Sequence, residues 1–338
     1  MANIEHRNGT YRVKIRLKGH TESATFQTLK AAIRWEASRE AAIREGRYFP
    51  TAHQHTLNDL IDRYLQDVLP HKSRSSISMQ TIQLTYWQTH LGYHPLAAIT
   101  PSLIAEHRDT LARTRKASTV RRYLAALSHT FTIAVKEYQW ANDNPCQKIR
   151  KPSEPRGRVR FLSEDEVKRL LEACKTSRNQ YLHTVVVLAL STGARKMELL
   201  SLQWPDVDLT RGRLIFRQTK NGETRSVPLT GYALELLNLH SRRPDTPLVF
   251  PDTTGKRPLS IRDAFTNCVE RAGISDFTFH DLRHTAASFL AMQGASLLEI
   301  GAVLGHKGLS MTARYAHLTE AHTHKVVGRM NQAIFGER

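Results

Sequence analysis

The sequence predicts a mainly α fold with small β elements, an α+β chain, and three observations carry that expectation. Near the N-terminus, GTYRVKIRLKG alternates Tyr11, Val13, Ile15 and Leu17 with Arg12, Lys14, Arg16 and Lys18, the period of two that marks a half-buried strand. Residues 55–146 carry apolar side chains at helical spacing almost throughout. Beyond residue 160, one hairpin signature, Asn221–Gly222 within RLIFRQTKNGETRSVPL, sits among segments that otherwise read as helices.

Taken in order, SATFQT supplies a second strand, and LKAAIRWEASREAAIREG turns to helical spacing and stops at Gly46. Residues 1–50 therefore form a small sheet plus a helix. Four helices follow in 55–146: TLNDLIDRYLQDVLP, SMQTIQLTYWQTHLG, TPSLIAEHRDTLART with a Thr100 cap and Pro101 in the first turn, and STVRRYLAALSHTFTIAVKEYQW. QKIRKPSEPRGRVR, residues 147–160, joins two prolines and a glycine to six cations and one acid, the composition of an extended basic linker. The last domain, 161–338, opens on a capping box, Ser163 to Glu166. Helices are expected at 181–191, after Gly193, and at 231–242, 260–272, 281–293, 296–304, 310–317 and 320–334.

Composition narrows the partners. The 338 residues carry 49 Lys and Arg against 31 Asp and Glu, a formal charge of +18 spread over every segment, which points to a polyanion and first of all to nucleic acid. Candidate contacts are the strand cations Arg12, Lys14, Arg16 and Lys18, which could enter a groove, the helix-end pair Arg121 and Arg122, and the linker cations Lys148, Arg150 and Lys151. A protected sheet edge and solvated helix ends are the competing readings. Only three cysteines occur, with no paired spacing, so a disulfide framework is excluded and a reducing cytoplasm fits. The longest apolar run, Val185 to Leu190, is far short of a membrane span, so no membrane partner is expected.

HDLRHTAAS, residues 280–288, raises the question of chemistry. On a helix His280, Arg283 and His284 share one face, which suits a metal poorly because the guanidinium stands beside the ion. A +2 and a +1 charge at roughly 6 Å and an effective dielectric near 20 repel by about 5 kcal/mol. No glutamate separates the histidines, unlike the H-E-x-x-H zinc pattern. An anion is attracted instead, so the segment reads as a phosphate site with no metal and no cofactor. Arg195 follows a Gly193 turn in LALSTGARKMELLSLQW, with Glu198 one helical turn on, either orienting it or forming an ordinary surface pair. Lys220 occupies the hairpin turn, His306 follows Gly305, and Tyr315 lies in a short helical stretch of LGHKGLSMTARYAHL.

Arg195, Lys220, His280, Arg283, His306 and Tyr315, in this order and these contexts, resemble the tyrosine recombinase family of phage-integrase type. The resemblance covers 160–320 through TGARKMELLSLQW, TKNGETRSVPL, FHDLRHTAAS and LGHKGLSMTARYAHL. It extends more loosely to 55–146 as a core-binding domain and to the first 50 residues as an arm-type DNA-binding domain. It implies a site-specific recombinase that cuts and rejoins double-stranded DNA as a homotetramer, for integration or excision of a mobile element. Tyr315 would be the nucleophile of a 3′-phosphotyrosine intermediate and Arg195 and Arg283 the oxyanion clamps. Lys220 would protonate the 5′-oxygen, His280 would assist proton transfer at the tyrosine, His306 would donate to the phosphate and Glu198 would be accessory. His284 is expected only to pack beneath the site helix. DNA-bending or directionality proteins are the accessory partners this reading leaves room for. A non-catalytic DNA-binding protein and a topoisomerase of type IB are the rival readings.

Overall fold

The computed structural model describes residues 2–7, 9–17, 20–44, 54–154, 160–217, 224–306 and 308–336. Its contacts divide the chain into two compact units, Met1–Arg156 and Gly157–Arg338. The expected hairpin turn, with Lys220, Asn221 and Gly222, lies outside the described residues, as does Lys18.

The first unit begins with an antiparallel sheet of three strands, β1 (Ala2–Arg7), β2 (Thr10–Leu17) and β3 (His20–Phe26), with β2 in the centre. Helix α1 (Leu29–Arg44) follows, and Val13 and Ile15 are buried with its Ala32, flanked by Phe26 and Trp35. That burial is what the period-two pattern of β2 encodes. Strand β1 was not among the expected strands. In ANIEHR only Ala2 and Ile4 alternate with polar residues, too short a pattern to mark a strand; the backbone pairing from Ala2↔Ile15 to Arg7↔Thr10 and the packing of Ile4 on the small core recruit it. On the face opposite the core Arg12, Lys14 and Arg16 are exposed; their partners on β3 are Thr25, Ser23 and Thr21, and on β1 Arg12 stands opposite Glu5 and Lys14 opposite Asn3.

Four further helices follow: α2 (Leu57–Asp67), α3 (Arg74–Leu91), α4 (Pro101–Thr114) and α5 (Ala117–Ile133). They close on Trp87, which is fully buried and whose Nε1 donates to the Tyr123 carbonyl at 3.0 Å. The Thr100 cap and first-turn Pro101 open α4 as expected. Helix α5 does not run on to Trp140. A wider π turn, Ala134–Tyr138, takes over and ends at Gln139 in the left-handed region (φ 55°). The start of the expected linker is anchored rather than extended away. Ile149 joins the buried core, Arg108 Nη1 donates to the Arg150 carbonyl at 2.8 Å, and Arg121 Nη1 donates to the Pro152 carbonyl at 3.1 Å. Arg121 also faces Glu154 at 3.6 Å and Lys148 pairs with Asp143, so these two charges are partly committed within the unit, while Arg122, Arg150 and Lys151 are exposed.

The second unit opens with α6 (Glu164–Lys175), whose capping box is present: the Glu166 amide donates to Ser163 Oγ and the Ser163 amide to Glu166 Oε2. Helix α7 (Leu182–Thr192) is mainly apolar, and all but His183, Leu190 and Ser191 of it are buried, as suits a central helix. It packs against α6, α9 (Gly231–Asn238) and α11 (Asp281–Met292). Between them lie α8 (Lys196–Leu200) and an antiparallel sheet of β4 (Val207–Asp208), β5 (Arg213–Phe216) and β6 (Arg225–Pro228). Helix α9 stops before the expected residue 242 because the chain turns for His240 Nε2 to meet the Val249 carbonyl at 2.9 Å. Helices α10 (Arg262–Arg271) and α12 (Leu297–Leu304) fall where the pattern put them.

The segment 310–317 is not one α-helix. A single turn, α13 (Leu309–Thr312), tightens into a 3-10 stretch, Ala313–Thr319, before α14 (Glu320–Phe335). Helix α14 leaves Val326, Val327, Met330, Ile334 and Phe335 exposed. Among the described residues no helix is long and apolar enough to cross a membrane.

Replacing Ser163 with Ala removes one half of the α6 capping box and is expected to lower unfolding stability by about 1 kcal/mol. Urea titration of the two proteins checks this; coincident midpoints would show that the box holds nothing.

Candidate active site

Helix α7 ends at Gly193 in the left-handed conformation (φ 59°), and from there the chain turns directly into α8. A Cβ at 193 would lie 2.3 Å from Leu304 Cδ2, so glycine is required both by the turn and by the neighbour. The Gly193 carbonyl accepts a hydrogen bond from Arg283 Nη1 at 2.8 Å. This carbonyl brings α11 to the start of α8, where Arg195 is the N-cap residue.

Glu198 is the organising acid. It is 7% exposed; its Oε2 accepts from the Arg195 amide at 3.0 Å and its Oε1 from Arg195 Nη1 at 2.8 Å. Arg225 Nη2, from β6, donates to the same Oε2 at 2.7 Å, and Arg225 Nη1 reaches the carbonyls of Val303 and Leu304. The carboxylate is thus a buried bridge between two guanidiniums, not a surface pair. Gly305 makes room for this: a Cβ there would meet Arg225 Nη1 at 2.7 Å.

Around these anchors is a pocket of about 300 Å³, lined by Arg195, His280, Arg283, His284, His306 and Tyr315, with Met311 and Arg314 at its edge. Five of the six expected catalytic positions are therefore together, and the sixth, Lys220, lies outside the described residues. Tyr315 is 2% exposed, and its hydroxyl is 2.5 Å from His284 Nδ1. His280 stands exposed at the mouth, its ring edge-on to that of His284 with centroids 5.2 Å apart. The His306 amide donates to the Gly301 carbonyl at 2.9 Å, and its Nδ1 is 2.8 Å from Thr312 Oγ1, so Nε2 is the nitrogen left for a ligand.

The pocket is strongly cationic, and it shifts its own titrations. Burial, and then the neighbouring Arg195 and Arg225, bring the Arg283 pKa down to about 10. Burial likewise pushes His284 to about 4, with His280 and Arg314 adding to the shift. His306 falls to about 4 through burial, then Arg283 and Arg195. His280 is lowered by desolvation and by Arg283. Burial raises Tyr315, with Arg314 and Arg283 opposing it. At neutral pH the pocket therefore holds neutral histidines, a protonated phenol and fixed guanidinium charge.

One atom shows what the pocket lacks. Arg283 Nη2 is buried with no hydrogen-bond partner, a costly condition that an incoming oxyanion would relieve. Among the described residues no group of His, Cys, Asp or Glu is arranged to hold a metal ion.

Sequence reasoning missed three participants. His284 was expected to pack beneath the helix; it is buried, yet its Nδ1 faces the phenol. The i, i+4 spacing from His280 was visible, but only the fold brings residue 315 to it. Arg225 had no local signal, being 27 positions from the glutamate it pairs with. Arg314 could have been suspected from its place beside Tyr315, where an exposed cation lines the pocket edge.

Residues 160–322 match the phage integrase family. The chain is similar to the shufflon-specific DNA recombinase of Escherichia coli, 34% identical over 80% of this chain and 71% of that one. It is also similar to the integrase of Haemophilus phage HP1, 32% identical over 63% of this chain and 59% of that one. Among solved structures, a lambda integrase tetramer bound to a Holliday junction shares the fold, with a TM-score of 0.63 at 23% identity over 90% of this chain and 96% of that chain.

The shifts of His284 and His306 predict a pH-dependent stability. Between about pH 4 and the ordinary histidine value of 6.5 the unfolded chain binds more protons than the folded one, so their contribution is full above 6.5 and is lost as pH falls toward 4. Denaturant unfolding at pH 4.5 and 7.0 should show a larger loss for the native chain than for the His284→Gln, His306→Gln double variant. Equal losses would show that these rings are not held neutral by the fold.

Proposed function

The chain belongs to the phage integrase family and is a tyrosine site-specific DNA recombinase; from that premise we propose the roles of its site residues, its assembly and its biological reaction. Tyr315 attacks a DNA phosphodiester, forming a 3′-phosphotyrosine and releasing a 5′-hydroxyl, and the reverse reaction reseals a strand. Arg195 and Arg283 hold the non-bridging oxygens and stabilise charge as it accumulates on the pentacoordinate phosphorus, with His306 Nε2 donating to the same phosphate. Lys220 protonates the departing 5′-oxygen, and His280 serves proton transfer at the pocket mouth. Glu198 keeps Arg195 aimed and stays out of the reaction itself. The observation that carries this reading is the buried, unpartnered Nη2 of Arg283 in a pocket that also contains Tyr315 and Arg195.

The remaining charge fits the same use. We assign the sheet face of Arg12, Lys14 and Arg16, with Lys18, to arm-type DNA binding, residues 55–146 to core-site binding, and the basic stretch 147–160 to the connection that lets two basic units close around a duplex. An arm-binding domain suits integration and excision of a mobile element, helped by DNA-bending or directionality proteins. Three buried free cysteines suit a reducing cytoplasm. The assembly is a tetramer on two duplexes, and the exposed apolar side chains of α14 supply a surface for docking on a neighbouring protomer. A protein that only binds DNA has no use for a phenol aligned with clamps and histidines, and a monomeric topoisomerase has none for an arm domain.

Incubating the protein in EDTA with a pool of nicked duplexes of randomised sequence should yield covalent protein–DNA adducts whose sequencing reveals the site. Tyr315→Phe should abolish them while DNA binding persists. Adducts that survive this change, or that appear only with added divalent metal, would overturn the mechanism. A chain ending at Leu318 should sediment with the recovered DNA as a smaller complex than the full chain; unchanged assembly would refute docking between protomers.

A further inference from the structure

The resemblance to known recombinases leaves the proton of the attacking phenol with His280, but the hydrogen bonds of this chain run differently. The Tyr315 hydroxyl meets His284 Nδ1 at 2.5 Å, and among the described residues no hydrogen bond joins it to His280. Both partners are interior: Tyr315 is 2% exposed and His284 8%. Their positions are fixed from outside the pair. Helix α11 is held at its start by Asp281 Oδ2, which accepts from the Thr278 amide at 2.7 Å. One turn on, Thr285 Oγ1 accepts from the Leu162 amide at 3.1 Å. On the other side, Tyr315 packs with Ala287, Ala291, Ile300 and Leu304. Neither ring can move far from the other without disturbing that packing.

We propose that His284 is the proton acceptor for the Tyr315 nucleophile. The inference rests on the reading of Tyr315 as the nucleophile and adds the identity of its base. In the tautomer with its hydrogen on Nε2, His284 accepts the phenolic proton at Nδ1 as the Tyr315 oxygen bonds to phosphorus. The bond from phosphorus to the 5′-oxygen breaks, and that oxygen takes a proton from the general acid assigned to Lys220. Rejoining reverses each transfer, and the imidazolium returns its proton to the phenol oxygen as the phosphotyrosine bond breaks.

The surroundings suit a base that holds the proton only briefly. From its own helix His284 is faced by His280, Asp281 and Arg283, and from the 3-10 stretch by Arg314 and Tyr315. Asp281 is the acid in that group and is already engaged in capping Thr278, so the neighbouring cations dominate. An imidazolium formed there is repelled by Arg283 and Arg314 and gains nothing by keeping its proton after the strand is resealed. His280, edge-on to His284 at the mouth, is placed to act on the phosphate side instead.

The test uses the full chain and the nicked duplex recovered from the covalent adducts, with single-turnover cleavage followed from pH 6 to 9. The native enzyme should give a nearly flat profile. His284→Gln, which keeps a hydrogen-bond acceptor but cannot take the proton, should lose about 100-fold or more at pH 7. Its rate should then rise roughly tenfold per pH unit, because only phenolate reacts. Introducing 3,5-difluorotyrosine at 315, with its more acidic phenol, should restore much of the lost rate in His284→Gln and little in His280→Gln. A flat profile in His284→Gln, or the steep profile and fluorotyrosine rescue appearing in His280→Gln instead, would overturn the proposal while leaving Tyr315 as nucleophile. No adduct at all would remove the reading beneath it. Should His284→Gln fail to fold, the nitrogen-15 shift of His284 Nδ1 decides the matter: Tyr315→Phe should move it toward that of a nitrogen without a hydrogen bond, and an unchanged shift would exclude the pairing.

Discussion

The site depends on one buried carboxylate. Several guanidiniums converge on a small volume, and two unit charges about 6 Å apart at an effective dielectric near 20 repel by roughly 3 kcal/mol. Left to themselves the arginines would splay into water. Glu198 prevents this by accepting from the Arg195 amide, from Arg195 Nη1 and from Arg225 Nη2 together. A single negative charge cannot neutralise the cluster, and the remaining positive potential is what makes the pocket receptive to a phosphate. Stability and receptivity are therefore opposed here, and the carboxylate sets the balance between them.

Backbone carbonyls do the rest of the positioning. Arg283 is tied to Gly193 and Arg225 to Leu304, so cations from α11 and β6 are aimed by the ends of α7 and α12. A peptide oxygen orients a guanidinium without cancelling its charge, which a second carboxylate would do. Both anchoring corners need glycine nearby: Gly193 has no room for a Cβ against Leu304, and Gly305 has none against Arg225. Turn geometry and electrostatics are in this way one constraint.

Much of this was legible in the chain itself. Strand β2, the four helices of 55–146, the α6 capping box and helices α7 and α10 to α12 follow from local periodicity and caps, which depend only on neighbours in sequence. Glycine turns and a shared helix face gave Arg195, His280, Arg283 and His306 only weak local signals, and Tyr315 none beyond packing; their order and contexts, through the resemblance to tyrosine recombinases, are what picked the set out. What stayed hidden depends on distant partners. Strand β1 has too short a pattern to be read alone and is completed by pairing with β2 and by the packing of Ile4. The early end of α9 reflects the His240 contact with Val249, and the 3-10 winding around Tyr315 reflects packing against Ala287, Ile300 and Leu304. Arg225 and the phenol contact of His284 are tertiary facts of the same kind.

The depth of Tyr315 separates its ring from its oxygen. The side chain is only 2% exposed and packs with Ala287, Ala291, Ile300 and Leu304, while its hydroxyl belongs to the pocket lined by arginines and histidines. A side chain gripped along its length and offered only at its tip has little rotational freedom left to lose, so its aim is settled by packing before any ligand arrives.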